Sequence, residues 1–96
     1  MRFGPVTIDE TRFDAAEITK NPLYMPDADA AAKAASYLGK CKAMQNSAGG
    51  IIECVITGVP AGIGDPVFEK IDANLAKAIF SIGAVKGFEI GDGFAV

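Results

Sequence analysis

The sequence predicts an α+β domain, with helices packed on one face of a small, largely antiparallel sheet. Three observations lead there. Ile51-Ile52-Glu53-Cys54-Val55-Ile56-Thr57 is β-branched and alternates with a period of two. Phe68, Ile71, Leu75, Ile79 and Ile82 recur at helical spacing a little further on. The chain has 96 residues, 50% of them hydrophobic and 22% charged, which is globular composition and enough for one small core.

The elements follow in order. Met1 to Asp9 reads as the end of a strand entering acidic sequence. No polar lead-in precedes it, as though the chain were cut within a strand. Asp14 to Lys20 can form one or two helical turns, which Asn21-Pro22 must break, because proline removes a donor and disfavours helical geometry before it. Asp27 caps a helix predicted over Ala28–Met44, with Ala31, Ala34, Ala35, Leu38, Cys41 and Met44 on its apolar face. Gly39 inside it costs about 1 kcal/mol relative to alanine. Asn46-Ser47-Ala48-Gly49-Gly50 ends it.

Ile51–Thr57 is the next strand, with Ile52, Cys54 and Ile56 forming a wholly apolar face. Gly58 to Gly64 is a loop, since no regular element tolerates that density of glycine and proline. Asp65 then caps a helix with Pro66 at its first position, running to Ile82, and Gly83 supplies a left-handed stop. Val85–Ile90 reads as a last strand before Gly91-Asp92-Gly93 and Phe94-Ala95-Val96. Residues 1–96 thus form a single partial domain, a strand stub plus helical region (1–48) followed by strand-helix-strand (49–96). A parallel crossover in the second half is equally compatible with the pattern.

Composition removes whole classes of chemistry. There is no histidine, so no His-based triad, no His-containing zinc site and no imidazole acid–base step can be built from this chain. The net charge is −3, and the second half holds all of the excess. Without clustered Lys and Arg, such a surface repels nucleic-acid phosphate. Cys41 and Cys54 are too few for a disulfide framework and read as reduced thiols. No apolar run reaches the ~20 residues that span a bilayer.

The remaining candidates each have a plain structural reading. Gly62-x-Gly64 before Pro66 invites a phosphate, but it lacks a third glycine and a P-loop lysine, and Asp65 already occupies the positive helix end. Glu53, Glu89 and Asp92 could pair as acid and base, but nothing in the sequence sets their distance, and charges at strand edges serve solubility. Asp27 and Asp29 lack the remaining ligands of a calcium loop and suit a helix entry. Tyr24 and Tyr37 are scattered singly, as packing residues are. Gly87, Gly91 and Gly93 mark close packing or a ligand approaching the backbone.

Residues 47–94 resemble the chorismate synthase family. The pattern runs through Ser47-Ala48-Gly49-Gly50, then Gly58-Val59-Pro60-Ala61-Gly62-Ile63-Gly64-Asp65-Pro66-Val67-Phe68-Glu69-Lys70. It continues through Asp72-Ala73-Asn74-Leu75-Ala76-Lys77-Ala78 to Ser81-Ile82-Gly83-Ala84-Val85-Lys86-Gly87-Phe88-Glu89-Ile90-Gly91-Asp92-Gly93-Phe94. Asn21-Pro22 and Tyr24-Met25-Pro26-Asp27 extend the likeness toward the N-terminus. Gln45-Asn46 departs from the family's Gly-Asp. Asp65 and Glu69 stand where it often has Glu and Asp, swaps that keep capping and charge.

The resemblance implies an internal piece of a chorismate synthase, sharing part of that fold. Such an enzyme is a cytoplasmic lyase that eliminates phosphate from 5-enolpyruvylshikimate 3-phosphate with reduced FMN. The family's functional histidines, substrate-gripping arginines and flavin contacts fall outside the matched residues. The expectation is therefore that this piece carries no catalytic, cofactor-binding or metal-binding residue of its own and binds no FMN. Its expected partners are the rest of a longer chain and further copies, since the family is tetrameric, with no nucleic acid and no membrane. The reading from a different class is a free-standing, non-catalytic interaction module.

Overall fold

The N-terminal residues close a hairpin instead of ending a single strand. In the computed structural model, which describes Met1–Val96, β1 (Arg2–Phe3) and β2 (Val6–Thr7) pair antiparallel, with Phe3 opposite Val6. Gly4-Pro5 is the two-residue turn, and Gly4 takes the positive φ of 54° that a tight hairpin turn demands. The Tyr37 ring lies so close that any side chain at Gly4 would collide with it. β3 (Gly50–Ile51) pairs antiparallel with the other edge of β1, so the order is β2-β1-β3. The Gly4 N–H donates to Gly49 at 2.8 Å and extends that ladder. The sheet is small and antiparallel, as the sequence indicates.

Polar side chains organise the segment between the hairpin and the first helix. Asp9 and Asp14 cap short 3-10 turns at Glu10–Arg12 and Ala15–Glu17, in place of the longer helical turns expected from Asp14 to Lys20. Asn21 does more than precede a helix-breaking proline. Its amide donates to the carbonyls of Glu17 (2.9 Å) and Met25 (2.8 Å) and accepts from the N–H groups of Leu23 and Met25. That knot holds the turn in which Tyr24 sits at φ 53°.

The helix α1 spans Ala28–Ala43 with Asp27 as its cap, one residue short of the predicted span. Ala31, Ala34 and Cys41 are buried as the spacing requires. Ala30 joins them, whereas Ala35 and Met44 face solvent, so the buried stripe is rotated slightly toward the N-terminal side. Ala30, Ala31 and Ala34 form the core with Met25, against which Phe3, Val6 and Ile8 of the hairpin region pack. Alanines let the helix sit close to so small a sheet. At its far end Gln45 adopts φ 54°, and Asn46 and Gln45 donate back to Cys41 and Lys42, a Schellman closure made without glycine.

The chain divides into two compact units, Met1–Val55 and Ile56–Val96. Several expectations for the later residues need correction. The strand predicted over Ile51–Thr57 exists only at Ile51, because an isolated strand has no partner for its backbone groups, and residues 52–64 make no backbone hydrogen bond. The second helix does not begin at Pro66. The Asp65 N–H donates to Glu69 at 2.8 Å and closes a separate turn with Val67 at φ 66°, so Asp65 caps nothing. The helix α2 starts at Ile71 and ends at Phe80, with Lys70 in the cap position but no capping hydrogen bond. The left-handed stop expected at Gly83 does not form. Instead α2 closes with Ser81 donating to Lys77 and Ala78 and Ile82 to Ile79, and Ala84 (φ 69°) belongs to the next turn, in which Val85 donates to Ile82. Val85–Ile90 forms no strand. Gly93–Ala95 makes a final 3-10 turn.

Candidate functional site

Asp27 is the most enclosed charged side chain, 5% exposed. One carboxylate oxygen accepts from the N–H groups of Asp29 (3.1 Å) and Ala30 (3.3 Å), and the other from Asp9 (3.2 Å). These donors, Asp9 first, hold its carboxyl below the usual range against the opposing effect of burial. Asp27 therefore caps α1 and ties the 3-10 segment down to it. Asp29 pairs with Arg12 at 2.5 Å across the same junction, an exposed pair of small energetic weight. Asp9 is also held low, chiefly by the Thr11 hydroxyl. The structure gives these aspartates the helix-entry role that the sequence assigns to Asp27 and Asp29.

Within α1, Tyr37 and Cys41 lie one turn apart. The neighbouring Cys41 thiol pushes the Tyr37 hydroxyl up. Cys41 is buried and free, and Cys54 is exposed and free. Both are reduced thiols, and no group of three or more Cys, Asp or Glu side chains is placed to hold a metal.

The carboxylates singled out for acid–base work do other things. Glu53 lies in the stretch without hydrogen bonds after β3. Glu89 accepts from the N–H of Phe94 at 3.4 Å and folds over the last turn, where Gly93 at φ 53° leaves room for it. Asp92 precedes that turn and makes no capping bond. Gly87 has open space around it, so neither crowding nor strain explains it.

Two open cavities flank the start of α2. One, of about 400 Å³, has Phe88, Ile90 and Phe94 in its wall, with Lys70, Asp72 and Glu89 as its charges. The other, of about 600 Å³, is lined by Ile63, Pro66 and Ile71, with Asp65, Lys70 and Asp72. Each sets one ammonium against two carboxylates. Asp72 lies in the first turn of α2 and accepts from the Ala73 N–H at 2.8 Å, taking the place an anion would use. This donor set does not fit the phosphate of a flavin. Nor is the glycine loop a phosphate cradle. Gly64 (φ 90°) packs so tightly on the first turn of α2 that a Cβ there would lie 2.9 Å from the Ile71 nitrogen.

Sequence reasoning missed Asn21, Asp9 and Tyr37. Asp9-x-Thr11 and Asp14-x-Ala16 carry the usual signal of a side chain capping two residues on, and Asn21-Pro22 that of a turn. Nothing local marks Tyr37, whose position depends on the distant hairpin turn.

Fold and side chains together define an α+β segment in which Asp9, Asp14, Asn21 and Asp27 serve caps and turns around one helix on a small antiparallel sheet. Its family is evident from comparison. The chain belongs to the chorismate synthase family, whose profile matches residues 4–96. It is 74% identical over 91 residues to a chorismate synthase of Agathobacter rectalis, covering 95% of this chain and 25% of that protein. A chorismate synthase of Lachnoclostridium phytofermentans is 60% identical over 93 residues, with 97% and 25% covered. One from Paramagnetospirillum magneticum is 50% identical over 95 residues, with 99% and 26% covered. The chain thus spans about a quarter of the length of the curated relatives it matches. No helix is long and apolar enough to cross a membrane.

Proposed function

We propose that this chain is a structural segment of a chorismate synthase, a cytoplasmic lyase that converts 5-enolpyruvylshikimate 3-phosphate to chorismate and phosphate with reduced FMN. The observation that carries the reading is 74% identity over 91 residues to a protein of that name, of which the segment makes up a quarter. In that setting the segment orders a helix on a sheet and presents apolar surface to the rest of the chain and to further copies. It supplies no reacting group. Its carboxylates are engaged in caps and turns or stand singly, and the cavities beside α2 carry the wrong charge balance for substrate or flavin phosphate. Elimination of an allylic phosphate needs cationic donors on the leaving group, and Lys70 is the one ammonium at these cavities.

Two assays test this. The chain alone, given 5-enolpyruvylshikimate 3-phosphate and reduced FMN without oxygen, is expected to form no chorismate, whereas a full-length enzyme containing the segment is expected to form it. Titration with FMN is expected to give no saturable fluorescence change. Chorismate from the chain alone, or micromolar FMN affinity, would overturn the structural assignment. A full-length enzyme without lyase activity would overturn the functional one.

A further inference from the structure

β3 stops at Ile51, yet the sequence continues Ile52-Glu53-Cys54-Val55 with the same period of two. Ile52 and Val55 are 79% and 78% exposed, and no backbone group from 52 to 55 has a partner in the chain. The ladder explains why. Arg2 lies opposite Ile51 and Phe3 opposite Gly50, so every step forward from Ile51 requires a step back from Arg2. Met1 comes opposite Ile52. Residues facing Glu53, Cys54 and Val55 would have to lie upstream of it in an antiparallel register.

We propose that Ile52–Val55 is the second half of a longer strand, and that the stretch running into β1 from its N-terminal side in a full-length family member pairs with it antiparallel. This rests on reading the chain as a segment of such an enzyme. The relatives are about four times as long as the matched region, which leaves ample chain to supply the partner. The pairing extends a ladder already in place and satisfies the free backbone groups of a β-branched run. Its chemistry is defined as well. The incoming residues carry apolar side chains on the face shared with Ile52 and Cys54, and a polar or basic one opposite Glu53, since cross-strand pairs on one face must match.

Cys54 is a built-in reporter, because it is exposed while Cys41 is buried. The test compares three proteins. The first is this chain, and the second is this chain extended by the residues that precede the match in the Agathobacter rectalis relative. The third is that full-length relative with residues 1–96 substituted for its own segment. Hydrogen exchange is read at Ile52–Val55 and iodoacetamide alkylation at each cysteine by mass spectrometry. In the two longer proteins, exchange at 52–55 and alkylation of Cys54 should both slow by about tenfold or more, with Cys41 protected throughout. Exchange and alkylation as fast as in the 96-residue chain would overturn the proposal. Should the substituted full-length protein fail to fold, the extended chain decides the matter. Lyase activity is scored separately. An active full-length protein with unprotected 52–55 refutes the pairing alone, and a protected but inactive one supports the pairing and counts against the proposed function.

Discussion

The two helices make an instructive contrast. By sequence, α2 is the better amphipathic helix, and α1 is a run of alanines interrupted by Gly39. In the structure α1 runs for 16 residues with four of them buried, whereas α2 runs for 10 with none. The difference lies at the ends and in what each helix has to pack against. Asp27 gives α1 a side-chain cap, and Met44, Gln45 and Asn46 return their N–H groups to its last turn. Lys70 offers α2 no acceptor. Within its own unit α1 has the hairpin and Met25 to bury alanines against. Apolar periodicity says which face of a helix wants burial. Capping and a partner surface decide how much of the helix forms.

Substitutions sharpen that contrast, beginning with the hairpin that α1 packs on. Gly4→Ala forces a Cβ into positive φ and into the Tyr37 ring, and should cost about 2–4 kcal/mol in urea unfolding. A loss below about 0.5 kcal/mol would show that the hairpin and α1 are not packed as described. Asn21→Ala removes four hydrogen bonds and strands the Met25 carbonyl and N–H. It should cost about 1–3 kcal/mol, and Asn21→Asp should recover only part, because a carboxylate cannot donate to Glu17 and Met25.

Asp27 sets the pH dependence. Its carboxyl is held low in the folded chain, so the folded state favours the ionised form. That stabilisation is complete above the ordinary aspartate range near pH ~4 and is lost as pH falls through the lower folded value. Asp9 acts in the same direction. Asp27→Asn keeps an N-cap acceptor but should flatten the acid side of the stability profile. An unchanged profile would show that Asp27 contributes nothing to it. The smallest effects concern the helices themselves. Gly39→Ala, at an exposed site with open space around it, should stabilise α1 by about 0.5–1 kcal/mol. Lys70→Asp should gain about as much for α2 by supplying the missing cap, read as added helical ellipticity.

Legibility in the sequence divides along the same line. The α1 span, its Asp27 cap and the loop at Gly58–Gly64 could be read because each depends on residues near in sequence. The small antiparallel sheet was legible only as a class, since β3 joins β1 from Gly50–Ile51, far along the chain. The strands at Ile51–Thr57 and Val85–Ile90 were not realised, since a strand is defined by its neighbour and β-branched residues alone do not supply one. Asp65-Pro66 looks like a helix start, but the turn from Asp65 to Glu69 competes for the same backbone and wins. Asn21 was visible only as the residue before a proline, and its four-way bonding appears only once Met25 folds back. Among the site candidates, Asp27 is legible as a cap and Asp29 as a negative charge in the first turn of α1.

Hydrogen exchange of the 96-residue chain tests the central contrast most directly. Amides through α1 and around the Asn21 turn should be the slowest to exchange, and those of α2 about tenfold or more faster. If α2 proved as protected as α1, end closure and local packing would not be what separates the two helices, and the contrast between them would fail.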